Sequence, residues 1–111
     1  MNAGKNATAI DTLIENLQDA DQLIRLHAAT VLGSMGDDAE PAVPALIELL
    51  QTGDVHDRRL AALTLGEIGP AAEEAIPALL EAVDDEDDGV SEMAVSALEQ
   101  IDVAEDEAEA A

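Results

Sequence analysis

The run Asp84-Asp85-Glu86-Asp87-Asp88-Gly89 holds the densest set of potential ligand atoms in the chain. Alternate carboxylates followed by glycine open the calcium loop of an EF-hand, in which six to eight oxygens surround a hard cation. The match then fails, because the twelfth position counted from Asp84 is Val95, where that loop needs a bidentate glutamate, and helical periodicity already covers this half of the segment. The run reads as solvated charge with a diffuse attraction for cations, and no metal site is assigned to it.

His27 and His56 are the only histidines, and cysteine is absent. Disulfides, Cys-ligated zinc and iron-sulfur centres are therefore excluded. No Ser-His-Asp arrangement activates a nucleophile, and no glycine-rich phosphate loop follows a strand. With 26 Asp and Glu among 111 residues, paired carboxylates arise from composition alone and do not distinguish a hydrolase from a hydrated surface. The expectation is a chain without catalytic residues or cofactors, and so not an enzyme.

Against the 26 acids stand only Lys5, Arg25, Arg58 and Arg59, for a formal charge of -22. Nucleic-acid binding depends on Lys and Arg neutralising phosphates, and anionic lipid repels the same surface, so neither is an expected partner. The start, MNAGKNATAI, lacks the apolar run of a secretory signal, and no stretch reaches the length of a membrane span. A cytoplasmic location is expected.

The elements that would position any of these side chains repeat at a fixed offset. Leu13, Glu15, Asp21, Ala28 and Leu32 recur 33 residues later as Leu46, Glu48, Asp54, Ala61 and Leu65, and again as Leu79, Glu81, Asp87, Ala94 and Leu98. A period of this size signals stacked supersecondary units. The frame divides into units 4–36, 37–69 and 70–102, followed by an acidic tail, 103–111, with nothing to bury and expected to be disordered.

Each unit reads as two helices, A and B. Apolar residues at three-and-four spacing predict A helices from about Thr8 to Gln18, from about Pro41 to Gln51, and from Pro70 to about Val83. Pro44 lies three residues further in, so regular helix either begins after Pro41 or bends there, and Pro77 occupies the same repeat position. Asp21 and Asp54 are natural N-caps for B helices over 22–35 and 55–68, and Gly36 and Gly69 are their expected C-caps. The last B helix is expected to carry Val90 to Ile101 and to end near Asp102. Small residues at matched places, Ala28, Ala29, Ala61, Ala62 and Ala94, permit close approach of neighbouring B helices. The core must be aliphatic and thin, since Phe, Tyr and Trp are absent and Ala supplies 22 residues.

The segments VPALIELL, DRRLAALTLGEIG and IPALLEAV, with glycine pairs at 33/36 and 66/69 and Asp then Arg at 21/25 and 54/58, closely resemble HEAT-like repeats of the phycobilisome-lyase type. The resemblance covers residues 4 to 102. It implies an all-α, right-handed α-α superhelix of three helix-pair repeats, with the B helices lining the concave side. It also implies a structural ladder of Asp21, Arg25, Asp54 and Arg58 between units. Asp54 is expected both to cap its helix and to meet Arg58 or Arg25. Asp87, whose own unit has Ser91 in place of Arg, is expected only to cap, and Asp57 stands where the repeat usually has Val.

In this repeat type one B-helix stripe is normally charged. Here it reads Leu26, Thr30, Ser34, then Arg59, Leu63, Glu67, then Glu92, Ser96, Gln100. Leu26 and Leu63, with the stem of Arg59, would form an apolar island inside an acidic rim. Leu26, Thr30, Arg59, Leu63 and Glu67 are accordingly the expected partner-binding residues of a protein-protein interaction module, monomeric or weakly self-associating, whose partner is a protein with a basic surface. Two other roles are compatible: an accessory or subunit related to phycobilin lyases, and an acidic decoy for a basic partner.

Overall fold

A computed structural model describes the backbone of residues 2–110 and the side-chain surroundings of residues 9–101. Its α-helices are α1 (Asn2–Asn16), α2 (Gln22–Met35), α3 (Val43–Thr52), α4 (Val55–Ile68), α5 (Ile76–Ala82) and α6 (Asp88–Ala110), and the described residues contain no strand. Together they form an all-α repeat solenoid, in which α1, α3 and α5 are the A helices and α2, α4 and α6 the B helices.

The first two B helices start and stop where local chemistry dictates. Asp21 accepts from the Leu23 amide at 2.9 Å, satisfying one of the orphan donors at the start of α2. At α4 the arrangement is a reciprocal capping box, with Asp54 accepting from the Asp57 amide and the Asp57 carboxylate accepting from the Asp54 amide. Gly36 and Gly69 end the two helices at φ +57° and +81°, a region that a side chain would strain.

The A helices depart from expectation in an instructive way. Of the two alternatives left open at the prolines the later start holds: regular helix begins at Val43 and Ile76, and 3-10 segments, Gly36–Ala42 and Gly69–Ala75, lead into them. The cause is Pro44 and Pro77. Each ring would collide with the carbonyl four residues earlier in a continuous α-helix, so α3 and α5 place the proline in their first turn, where its missing N–H costs nothing. The first unit has Asp11 at that position, and α1 runs back to Asn2 without a break. Helix α6 runs on to Ala110 instead of ending near Asp102, since residues 103–110 contain neither Gly nor Pro and are mostly Ala and Glu. Their side chains, and with them the expectation of a disordered tail, lie outside the described residues.

Helix α4 lies at the centre, packed against α2, α3 and α6, while α1 packs on α2 and α5 on α6. Leu17, Leu32, Leu46, Leu65, Leu79 and Ile101 are fully buried between the two layers. Ala28, Ala29, Ala61, Ala62 and Ala94 are also fully buried, as close B-helix contact requires. The closest approach falls at Gly33 and Gly66. A Cβ on Gly66 would stand 3.0 Å from the Ala97 Cα, and one on Gly33 would meet the Glu67 carboxylate. The result is a slab of 40 × 37 × 17 Å, two helices thick.

Candidate functional site

Three arginines join consecutive units, through carboxylates other than those expected. Arg25 donates from Nε to Asp57 at 2.9 Å and from Nη1 to the Asp19 and Ala20 carbonyls at 2.8 and 3.1 Å. Asp54 lies only within ion-pair range of it, at 3.8 Å. Arg58 donates to both oxygens of Asp85, at 2.9 and 3.2 Å, and to the Gly53 carbonyl at 3.1 Å. Arg59 grips Asp87 with two bonds of 2.8 Å.

Of the expected ladder of Asp21, Arg25, Asp54 and Arg58, the two arginines join units and Asp54 meets Arg25 as an ion pair of 3.8 Å, but Asp21 serves as a helix cap and the hydrogen-bonded rungs end on Asp57 and Asp85. The reason is direction: each guanidinium reaches forward into the next unit, and these are the carboxylates that the next turn presents to it. Asp87 is also more than a cap, since it accepts from the Val90 amide at 2.9 Å and from Arg59 as well.

The electrostatics follow this geometry. Hydrogen bonding from Arg58, then from the Asp87 amide, holds the Asp85 carboxyl below its ordinary value. The Asp57 amide and the nearby Arg25 do the same for Asp54. For Asp87, Arg59 and the Val90 amide lower the carboxyl from 3.8 to about 2. A depressed folded value means that the ion pair stabilises the fold above the unfolded value of 3.8 and loses this contribution as pH falls from about 4 to about 2. Asp87→Asn keeps a capping side chain, so its thermal midpoint should lie below that of the parent at pH 7, with the gap closing as pH approaches 2. A gap that persists at pH 2 would locate the stabilisation elsewhere.

Alongside the Arg59–Asp87 pair runs a groove of about 470 Å³ across α2, α4 and the start of α6. Its apolar lining is Leu23, Leu26, Leu60, Leu63 and Met93, with Gln22, His56, Asp57, Arg59 and Gly89 around it. Leu23 is 71% exposed, and Leu26 and Leu63 are also exposed. The missing side chain of Gly89 makes room for Arg59, because a Cβ there would come within 3.0 Å of the guanidinium carbon.

Of the residues singled out from the sequence, Leu26, Arg59 and Leu63 meet in this groove. Thr30 and Glu67 do not line it. The Thr30 hydroxyl donates to the Leu26 carbonyl at 2.8 Å, and Glu67 covers Gly33. The stripe pattern missed Leu23, Leu60 and Met93. Leu23 sits one turn before Leu26 on an exposed helix face, and Leu60 and Met93 share one repeat position, so both signals were present in the sequence.

Among the described residues no group of three or more His, Asp or Glu side chains is gathered closely enough to hold a metal ion, and Asp85 and Asp87 of the acidic run are turned onto arginines. No described helix is long and apolar enough to cross a membrane. A family model for HEAT repeats matches residues 3–66 and again residues 43–111. No curated protein matches the chain.

Proposed function

We propose that the chain, which belongs to the HEAT repeat family, is a protein-protein interaction module that uses the groove between α2, α4 and α6 as its docking surface. HEAT repeats generally mediate such interactions. The observation that carries the reading here is the exposed apolar groove on a chain of formal charge -22. An interface of this make-up draws affinity from a desolvated centre and orientation from charge at its rim. The partner is a protein that presents an apolar side chain flanked by Lys or Arg, the complement of leucines set in an acidic surface. The finer resemblance to phycobilisome-lyase repeats suggests an accessory role in bilin attachment, but the matched family is HEAT repeats as a whole, and the chain has no aromatic residue to stack on a tetrapyrrole.

Replacing Leu26 and Leu63 with Glu should abolish capture of the natural partner from source-cell lysate, while circular dichroism at 222 nm stays near that of the parent. Both side chains are exposed, so the fold should survive the change. Leu23→Glu, at the most exposed apolar position, gives a second variant with less risk to the fold. Undiminished capture by these folded variants would move the binding surface elsewhere.

A further inference from the structure

Each B helix has two unlike sides. The side facing the next unit carries Arg, then Ala one turn on, then Gly two turns on: Arg25, Ala29 and Gly33 in α2, and Arg58, Ala62 and Gly66 in α4. The receiving side of the next unit supplies carboxylates and a covering stripe. Asp57 takes Arg25, Asp85 takes Arg58 and Asp87 takes Arg59, while Glu67 and Gln100 cover the two glycines.

Shifted by 33 residues, the receiving side of α2 consists of Ile24, His27, Val31 and Ser34, preceded by a turn carrying Asp19 and Asp21. That turn repeats the one that binds Arg58 and Arg59. Asp19 accepts from the Asp21 amide at 2.8 Å, as Asp85 accepts from the Asp87 amide at 2.9 Å. Asp21 caps α2 as Asp87 caps α6. Among the described residues no cationic side chain reaches the carboxylate of Asp19 or Asp21. Beside them Ile24 is 38% exposed and Val31 is half-buried, whereas Asp57 and Val90 at the position of Ile24 are buried.

We propose that this face of α2 docks an α-helix of a partner protein carrying two adjacent arginines followed, one and two turns on, by small residues. Asp19 and Asp21 receive the two guanidinium groups in the way that Asp85 and Asp87 receive Arg58 and Arg59. The small residues let the incoming backbone settle against Val31 and Ser34, as Gly33 and Gly66 admit the helices that follow them. A second copy of this chain is not the occupant. On α6 the corresponding positions are Ser91, Val95 and Glu99, so the cation, the small residue and the glycine are all lost, and Glu99 would be brought toward an acidic face. None of the face residues lines the groove, so the two surfaces are separable.

The test uses a fluorescent peptide with the sequence of α4, Val55–Ile68, held helical by a staple joining positions 60 and 64, on the side away from its arginines. Anisotropy should report saturable binding to the full chain. Asp19→Asn with Asp21→Asn should weaken binding about tenfold or more, the loss expected for two charge-assisted pairs, and Asn at position 21 keeps the helix cap. Exchanging both peptide arginines for Gln should give a matching loss, and Leu26→Glu with Leu63→Glu should leave binding unchanged. Absence of binding, binding that survives both Asn replacements, or binding lost in the groove variant would each overturn the proposal. The last outcome would leave the groove as the docking surface.

Discussion

Asp57→Ala is expected to lower the thermal midpoint by about 10 °C. Asp57 is 6% exposed and acts twice, receiving Arg25 of the preceding unit at 2.9 Å and the Asp54 amide at 3.3 Å. Hydrogen bonds to charged groups contribute about 1.5 to 3 kcal/mol, and about 2 kcal/mol corresponds to roughly 10 °C for a domain of this size. After the replacement Arg25 keeps the Asp19 and Ala20 carbonyls and the distant Asp54, so it is weakened rather than stranded. Asp54→Ala should cost about 1 kcal/mol, mainly through the lost cap. Melting followed at 222 nm ranks the two. A loss at Asp57 no greater than that at Asp54 would mean that the inter-unit pair contributes nothing measurable.

Replacing Gly33 and Gly66 should give changes of opposite sign, although both occupy the same repeat position. Alanine is the better helix former by about 1 kcal/mol at either site. At Gly33 the added methyl meets the carboxylate of Glu67, an exposed side chain able to swing into solvent, so Gly33→Ala should be neutral or stabilising. At Gly66 the obstacle is the Ala97 backbone, 3.0 Å away, which yields only if α6 moves as a body. Overpacking costs about 1 to 3 kcal/mol, enough to outweigh the gain in propensity, and Gly66→Val should cost more still because the branched side chain adds both volume and a helix penalty. Equal effects at the two glycines would show that the spacing between B helices is softer than the side chains around it.

Much of this architecture was legible because it is written locally. Caps at Asp21 and Asp54 and glycines at 36 and 69 set α2 and α4 to the residue, and the 33-residue period gave the stacking order. The starts of α3 and α5 were left open by one chemical fact, the proline ring, whose consequence depends on whether the chain offers a 3-10 lead-in, whereas α1, without that proline, begins earlier than its apolar spacing indicates. The pairing of the arginines was not legible. With 26 carboxylates available, Asp21, Asp54, Asp57, Asp85 and Asp87 are equivalent on paper, and only the offset between stacked units decides which lies within 3 Å of a given guanidinium. The sequence stripe found two of the five apolar groove residues, with Arg59, and missed Leu23, Leu60 and Met93, because it follows a single repeat position and its i+4 continuation, whereas the groove takes side chains from neighbouring positions of α2, α4 and α6.

The three arginines of the ladder have a consequence beyond holding units together. Each already has its negative partner inside the array, Arg25 with Asp54 as well as Asp57, so its charge is spent internally, and the surface acids far outnumber the described cations. Such a body in solution behaves as a small polyanion wrapped in a cloud of mobile counter-cations. When a basic protein arrives, part of that cloud is released into bulk solvent, and the entropy of release becomes a driving force of association that weakens as the surrounding electrolyte grows more concentrated, as when cationic proteins bind nucleic acid. The chain then takes the part of the nucleic acid, with carboxylates in place of phosphates.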